Sequence, residues 1–201
     1  MSIWAIVPVK PFKQAKSRLA PVLSVEERDA LSRNLLVHTL EVLNQVGQIQ
    51  RTLVVSRDQA ALSLARKQNA HTIAESGTAD LNAALTLATD IVISLGAHAT
   101  LIIPSDLPLL NASEVRALIT AGSEAETMSL AIAPDRRELG TNGLFVRPPR
   151  LISFAFGEDS FSRHVARARW RHAHVEICRL PGFALDMDLP EDWELYQVQS
   201  K

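Results

Sequence analysis

The sequence predicts an α/β protein in which a mostly parallel sheet is flanked by helices. Short apolar segments alternate with longer segments of helical periodicity along the 201 residues, and this alternation is typical of such folds. Residues 3–9 and 100–103 are almost entirely apolar, as expected for parallel strands that are buried on both faces. Since no internal repeat, low-complexity segment or linker interrupts the alternation, we expect one domain over residues 1–201.

The composition is that of an ordinary globular protein. Hydrophobic residues make up 47% of the chain, charged residues 21%, and the formal net charge is −1, which excludes a global basic field for nucleic acid. The single cysteine, Cys178, cannot form an internal disulfide and favours a reducing compartment. No apolar run approaches about 20 residues, and we identify no signal peptide. We therefore expect a cytoplasmic protein that binds neither membrane nor nucleic acid.

In the first half of the chain, polar residues mark where the predicted helices begin. Ser24 and Glu27 form a capping box, and Asp80 is an N-cap candidate. The predicted strands are residues 3–9, 52–56 and 71–74, and the predicted helices run from Ser24 to Gly47, from Asp58 to about Asn69, and from Leu81 to Leu95.

The second half continues the same alternation. Asn111 with Glu114 predicts another helix start, and Pro190 suits the first position of a final helix. The predicted strands are residues 100–103, 128–133, 144–146 and 175–180. A helix from Asn111 to about Gly122 separates the first two, and a polar loop over 134–143 separates the second from the third. A helix from Asp159 or Ser160 to about Trp170 precedes the last strand.

Asp106 lies just beyond the predicted central strand 100–103, between Pro104 and Pro108. In open α/β sheets, ligands bind in the crevice at the carboxyl ends of the strands. A carboxylate at this position can hold a hard cation such as Mg²⁺. It can equally be a turn aspartate that caps its own loop, and the segment by itself does not separate the two roles.

The loop after the first strand is basic. Lys10, Lys16 and Arg18 follow within nine residues of the strand end, where phosphate-binding loops commonly lie in this class of fold. Cationic side chains there predict a phosphate site, although a charged run can also be a solvated loop.

Two predicted helix starts carry further candidates. Asn82 lies in the first turn after Asp80, and its amide both donates and accepts, so it can read a nucleotide base or be an exposed helix residue. Gly157 and Ser160 precede or open another helix, whose N–H groups can bind an anion. Alternatively, these two residues begin the helix and bind no anion.

Asp186 and Asp188 alternate on one face of an extended segment near the C-terminus. Two carboxylates side by side repel unless a cation lies near them. Together with Asp106 they make a plausible Mg²⁺ site, while a capping role stays open for Asp188.

Several of these segments together resemble one known family. They are the first loop Val-Pro-Val-Lys-Pro-Phe-Lys-Gln-Ala-Lys-Ser-Arg-Leu, the central Pro-Ser-Asp-Leu-Pro-Leu-Leu, the Thr141-Asn142-Gly143 turn, Phe-Gly-x-x-Ser-Phe, and the closing Asp-Met-Asp-Leu-Pro-Glu-Asp. In this order they are similar to the 2-phospho-L-lactate / phosphoenolpyruvate guanylyltransferases of coenzyme F420 biosynthesis. The resemblance covers essentially the whole chain. It implies a Rossmann-like, GT-A-like fold of the nucleotide-diphospho-sugar transferase type.

The resemblance also implies roles for particular residues. GTP would lie over the first loop and residues 75–82, and the acidic substrate and Mg²⁺ would be held from the second half of the chain. The implied sets are Lys10, Lys16, Arg18 and Asn82 for GTP, Thr141, Gly157 and Ser160 for the acid, Asp106, Asp186 and Asp188 for Mg²⁺, and Asp106, Lys16 and Arg18 for catalysis. The product would be a guanosine diphosphate-linked three-carbon acid, with phosphoenolpyruvate favoured over 2-phospho-L-lactate. The oligomeric state stays open, with a homodimer among the options.

Other functions compete with this interpretation. The wider relatives of the family, which act on sugar phosphates or the molybdenum cofactor, usually have a glycine-rich first loop, whereas no glycine lies between Val7 and Ala20. Asp186-Met-Asp188 is an Asp-x-Asp sequence, which glycosyltransferases also use. Nucleotide binding without catalysis and an RNA-binding surface over residues 163–174 are further alternatives.

A phosphomonoester, with its second pKa of about 6, is already a competent nucleophile at neutral pH, so the lack of a Ser-His-Asp or Cys-His pattern agrees with nucleotidyl transfer.

Overall fold

The computed structural model describes residues 1–75, 80–125 and 127–199. Its strands form one seven-stranded sheet in the order β3-β2-β1-β4-β6-β5-β7. The strands are β1 (Ile3–Val9), β2 (Ile49–Ser56), β3 (His71–Ala74), β4 (Ala99–Ile102), β5 (Ser129–Pro134), β6 (Thr141–Arg147) and β7 (His174–Ile177). The helices are α1 (Val25–Asn44), α2 (Gln59–Lys67), α3 (Leu81–Ser94), α4 (Ala112–Ser123), α5 (Ser160–Trp170), α6 (Pro181–Ala184) and α7 (Pro190–Gln199).

The sheet is mostly parallel, as predicted. β1 pairs in parallel with β2 and β4, β2 with β3, and β5 with β7. Within the described ranges only β6 runs the other way, antiparallel to β4 and β5. The α/β fold class is therefore confirmed.

Helices cover both faces of the sheet, which explains why its strands are apolar on both sides. Along β1, Ala5 and Val7 belong to a core cluster that includes Leu40 of α1 and Leu118 of α4. Trp4 and Ile6, which alternate with them, belong to a second cluster formed with α3 and α5, which includes Leu85 and Val165. All four of these β1 residues are at most 5% exposed. The period-2 alternation of a strand thus distributes its side chains between two cores.

The predicted caps of α1, α2, α3 and α4 are confirmed. Ser24 and Glu27 form the complete capping box of α1. The side chains of Asp58, Asp80 and Asn111 each accept a backbone N–H in the first turn of the helix that follows. Pro190 begins α7 as predicted. These local signals were sufficient because each cap is satisfied within about three residues of the chain.

The predicted loop over residues 134–143 is wrong at its end. Thr141, Asn142 and Gly143 are the first residues of β6. Thr141 pairs with Pro134 and Gly143 with Ala133 of β5, and the register shifts between these two pairs. Their polar character suggested a turn, but the tertiary environment needs a strand there with no side chain at 143. A Cβ on Gly143 would lie 2.6 Å from Phe183 and 2.8 Å from Leu118.

Other boundaries differ by a few residues. β2 begins at Ile49 rather than at residue 52, α1 ends at Asn44 before Gly47, and β7 ends at Ile177. The remainder of the predicted last strand leads into the short helix α6, which begins at Pro181. Within the described residues, no helix combines the length and apolarity that crossing a membrane would require.

Candidate active site

A cavity of about 350 Å³ opens at the carboxyl ends of the central strands. It lies where β1 and β4, which are parallel neighbours, deliver the first basic loop and the loop with Asp106 to the same edge of the sheet. The polar residues that line it are Lys10, Gln14, Lys16, Ser32, Arg57, Glu75, Asp80, Ser105, Asp106 and Asp188. A site of this volume and polarity can hold a charged small molecule.

Lys16 joins two of the predicted carboxylates. Its Nζ lies 2.8 Å from Oδ2 of Asp106 and 3.0 Å from Oδ1 of Asp188. The Lys16 side chain is only 7% exposed, and a buried ammonium is tolerated when it is paired and hydrogen-bonded. Burial would lower the pKa of Lys16, but the charges of Asp106 and Asp188 outweigh it and raise the pKa above its ordinary value. Lys16 therefore stays protonated.

The backbone at Lys16 is unusual. Its φ of 57° and ψ of 30° place a non-glycine residue in the left-handed region, a conformation that costs about 1–3 kcal/mol and that the surroundings must hold. The residues on either side supply this anchoring: Phe12 is 1% exposed, and its N–H donates to Oδ2 of Asp58. Leu19 is fully buried in a small cluster with Leu35 and Met187. The buried side chains of Phe12 and Leu19 thus fix the backbone on both sides of Lys16, whose ammonium contacts the carboxylates.

Lys10 and Arg18 also act on this group of charges. Burial by itself would raise the pKa of Asp188. The positive charges of Lys16, Lys10 and Arg18 lower it by more, so the pKa lies below its ordinary value. The positive charges of all three cations predicted for the first loop therefore act on the same carboxylate. We call Lys16, Asp106, Asp186 and Asp188 the Lys16 cluster.

Asp186 is held close to the other two aspartates. The N–H of Met187 donates to the Asp106 carbonyl at 3.0 Å, which ties the C-terminal segment to the loop after β4. Burial, and then the charges of Asp106 and Asp188, raise the pKa of Asp186 to about 6. The three aspartates predicted to act together are therefore neighbours.

The carboxylates of the Lys16 cluster supply oxygen atoms of the kind that bind a hard divalent cation. Among the described residues, Oδ1 of Asp106 is a buried acceptor without a hydrogen-bond partner. Burial is the largest cause of the raised pKa of Asp186, and the negative charges of Asp106 and Asp188 add to it. Oxygen ligands of this kind suit Mg²⁺. Among the residues described, however, no three His, Cys, Asp or Glu side chains form a ready-made metal site, and the Lys16 ammonium contacts two of the carboxylates.

Thr141 and Ser160 meet in a second polar group, to which the structure adds His164. Ser160 Oγ lies 3.1 Å from Thr141 Oγ1, which in turn lies 3.1 Å from His164 Nδ1. His164 Nε2 accepts the N–H of Ala155 at 2.9 Å, so in the neutral ring the proton is on Nδ1 and is donated to Thr141. We call Thr141, Ser160 and His164 the Thr141 cluster; none of the three lines the cavity described above.

His164 was not predicted as a site residue because it lies in a basic segment, which is typical of an exposed surface. It is completely buried, and burial, followed by the charges of Arg167 and Arg163, lowers its pKa to about 4. The available signal was its spacing: His164 follows Ser160 by four residues, which places the two on the same face of α5.

The start of α5 differs from the prediction in detail. Asp159 occupies the N-cap position with a φ of 51° but makes no side-chain capping bond in the described part of the chain, and Ser160 contacts Thr141. The N–H groups of Ser160 and Phe161 donate to the carbonyls of Gly157 and Leu139, so these two donors are used within the protein. Gly157 has a φ of 122°, where an L side chain would be strained, and no atom lies near the position of a Cβ.

Asn82 does not line the cavity. Its Nδ2 donates to the Phe156 carbonyl at 3.1 Å, and its Oδ1 accepts the Phe156 N–H at 2.8 Å. The amide predicted to read a base is thus engaged with the backbone of the segment before Gly157. The predicted base-reading role itself stays a prediction.

The mostly parallel sheet, with a basic loop and carboxylates at its carboxyl edge, has the fold of the nucleotide-diphospho-sugar transferase and cytidylyltransferase type. Solved structures of this fold include a proposed nucleotide-diphospho-sugar transferase from Desulfovibrio desulfuricans G20, with a TM-score of 0.82 and 17% identity over 100% of this chain and 89% of that one. Another is the 4-diphosphocytidyl-2C-methyl-D-erythritol synthase from Anaerococcus prevotii DSM 20548, with a TM-score of 0.67 and 11% identity over 99% and 98% of the two chains.

Within this class, the chain belongs to the family described as CofC-like guanylyl transferases, whose model matches residues 3–198. It is 40% identical over 194 residues to a phosphoenolpyruvate guanylyltransferase from Sphaerobacter thermophilus, covering 96% of this chain and 92% of the relative. It is 35% identical over 192 residues to a 2-phospho-L-lactate guanylyltransferase from Methanothermobacter thermautotrophicus, covering 96% and 82%. The family resemblance drawn from the sequence motifs is thereby confirmed.

Proposed function

We propose that this protein transfers GMP from GTP to the phosphate of a three-carbon phospho-acid and releases pyrophosphate. A phosphate oxygen of the acid attacks the α-phosphorus of GTP, a P–O bond forms, and the bond from the α-phosphorus to the bridging oxygen breaks. The observation that carries the proposal is the cavity lined by Lys10 and Lys16, in which the Lys16 ammonium contacts Asp106 and Asp188. Such a site supplies what this chemistry needs, namely positioning and neutralisation of negative charge.

In this proposal the first loop binds the triphosphate. Lys10, Lys16 and Arg18 carry the positive charge, and Lys16 and Arg18 would stabilise the charge that develops during transfer. Since a phosphomonoester is largely ionised at neutral pH, no general base is required.

Asp106, Asp186 and Asp188 would hold Mg²⁺. When bound, the ion would neutralise phosphate oxygens next to the transferred phosphorus. Two observations support this assignment: Oδ1 of Asp106 has no hydrogen-bond partner among the described residues, and the Met187 N–H, next to Asp186, donates to the Asp106 carbonyl.

Thr141, Gly157 and Ser160 would bind the acid. Thr141 Oγ1 lies within hydrogen-bond distance of both His164 and Ser160. When both of these groups donate to it, its own O–H remains to serve an anionic acceptor. Gly157 would permit close approach of the substrate to the backbone, because it has no Cβ.

Phosphoenolpyruvate is the favoured acid, because the relative named for it is more similar to this chain than the one named for 2-phospho-L-lactate. The proposal includes a role in coenzyme F420 biosynthesis and a cytoplasmic location, where GTP is available. A nucleotidyl transfer to another acceptor, such as a sugar phosphate or the molybdenum cofactor, is the competing function.

The deciding experiment incubates the protein with GTP, Mg²⁺ and each acid separately, and measures pyrophosphate. Pyrophosphate that depends on phosphoenolpyruvate supports the proposal, and dependence on 2-phospho-L-lactate would change only the acid. Parallel reactions with CTP or UTP and a sugar phosphate test the competing function. Release only in those reactions would overturn the proposal, as would GTP binding without turnover of any acid.

A further inference from the structure

The segment that carries Gly157 is fastened to the protein by two buried or half-buried side chains from different helices. Asn82 of α3 makes two hydrogen bonds to the backbone of Phe156, one to its N–H and one to its carbonyl. His164 of α5 accepts the N–H of Ala155. Three hydrogen bonds therefore hold two consecutive peptide residues immediately before Gly157.

The chemistry of Asn82 is matched to this contact. A side-chain amide has a donor and an acceptor side by side, so it can satisfy the N–H and the carbonyl of one residue together. An aspartate would keep only the bond from the N–H, and an alanine neither. The two ends of the contact are 74 residues apart in sequence, so it joins elements that local structure does not connect.

His164 links the same segment to the Thr141 cluster. While Nε2 accepts from Ala155, Nδ1 faces Thr141 Oγ1 at 3.1 Å. The ring also packs edge-on against Phe156, with 4.8 Å between the ring centroids. Displacement of Phe156 would therefore disturb His164 and, through it, the hydroxyl of Thr141.

We propose that Asn82 is a positioning residue for the acid substrate: with His164 it holds residues 155–157 so that Gly157, Thr141 and Ser160 share one fixed arrangement. The inference rests on the proposed function for the identity of the acid. It assigns the amide of Asn82 to this loop and not to the base of GTP. Since Asp80, the N-cap of the same helix, lines the nucleotide cavity, α3 connects the two substrate sites.

The test compares Asn82→Ala and Asn82→Asp with the wild-type protein in steady-state assays that vary GTP and phosphoenolpyruvate separately. A displaced binding segment is expected to raise the KM for the acid about tenfold or more in Asn82→Ala, and less in Asn82→Asp. The KM for GTP and the preference for GTP over ITP, which lacks the exocyclic amine, are expected to stay within about twofold of wild type. A change confined to GTP or to the GTP/ITP preference would overturn the inference and favour base reading.

A second measurement tests the contact between Asn82 and Phe156 independently of catalysis. Hydrogen exchange of the Phe156 amide is expected to become about tenfold faster in Asn82→Ala, because its acceptor is lost. Unchanged exchange would overturn the inference even if activity falls. If wild-type protein releases no pyrophosphate with any acid, the proposed function fails, whereas the exchange result still decides whether Asn82 holds the segment.

Thr86→Ala is the matched control. Thr86 lies one turn further along α3, and among the described residues its hydroxyl donates within the helix, to the Asn82 carbonyl. It is expected to leave both KM values and the exchange of Phe156 near wild type. A Thr86→Ala variant with the same effects as Asn82→Ala would attribute them to α3 as a whole and overturn the inference.

Discussion

The ammonium of Lys16 lies 2.8 Å from Asp106 and 3.0 Å from Asp188, and so joins residues that are 90 and 172 positions away in the chain. The three side chains differ in exposure, from 7% for Lys16 to 25% for Asp106 and 42% for Asp188. Lys16 is therefore the most desolvated member of the group, and its charge acts there with little screening. This contact brings the first loop and the carboxylates to one point in space.

Lys16→Met is expected to reduce kcat about 100-fold or more, because the removed charge would stabilise the transferring phosphate. Lys13→Met is the matched control, since Lys13 lies in the same loop and is exposed. Pyrophosphate release at saturating substrates measures both. A Lys16→Met rate within twofold of the control would remove Lys16 from the site.

Asp106→Asn is expected to nearly abolish turnover at saturating Mg²⁺, because the amide keeps the shape of the side chain but loses its charge. Asp90→Asn, at an exposed ion pair on α3, should change little, since exposed pairs contribute about 0–1 kcal/mol. Kinetics over a range of Mg²⁺ concentrations check this prediction. An unaffected rate would show that Asp106 is not part of the site.

Thr141→Val and Ser160→Ala are each expected to raise the KM for the acid about tenfold, through loss of a hydrogen bond to a charged group. The KM for GTP should change much less. Separate titrations of the two substrates distinguish them. An equal loss for both would point to misfolding or to a wrong assignment of the acid site.

Asp186→Asn is expected to stabilise the protein at pH 8 in the absence of divalent cations. The pKa of Asp186 is raised in the folded state to about 6 from its ordinary 3.8. Between these two pH values the folded state holds a proton that the unfolded state has lost, and the resulting stabilisation is complete below the ordinary pKa of 3.8. Stability is lost as pH rises through about 6, by up to about 3 kcal/mol. The gain from the substitution should thus be present at pH 8 and vanish near pH 4, as measured by urea unfolding. Destabilisation at pH 8 would mean that the charge of Asp186 is favourably compensated.

Stability should also fall between about pH 6.5 and 4 because of His164. Its pKa is lowered to about 4 from 6.5, with burial as the largest cause, so the unfolded state takes up a proton that the folded state refuses. The stability present above the unfolded value is lost as pH drops, by up to about 3 kcal/mol. Urea unfolding of His164→Gln should show a flatter profile over this range. His172→Asn, at an exposed histidine with positive φ, should keep the wild-type slope.

Much of the fold could be predicted because its signals are local. The capping box at Ser24, the N-caps at Asp58, Asp80 and Asn111, and the buried strand at 3–9 each depend on residues close together in sequence. The error at Thr141 arose where tertiary pairing overrides a turn-like composition. There, the side chains of Phe183 and Leu118 require a glycine within a strand.

The candidate site divides in the same way. The sequence alone determined which side chains stand at strand ends, because a strand that ends in proline or in a basic loop is visible in the order of residues, and it led to the correct family. Only the tertiary structure decided that Lys16 pairs with Asp106 and Asp188, that Asn82 holds Phe156, and that His164 joins Thr141. These partners are tens to more than a hundred positions apart, and the packing of helices on both faces of the sheet, not any short-range pattern, brings them within hydrogen-bond distance.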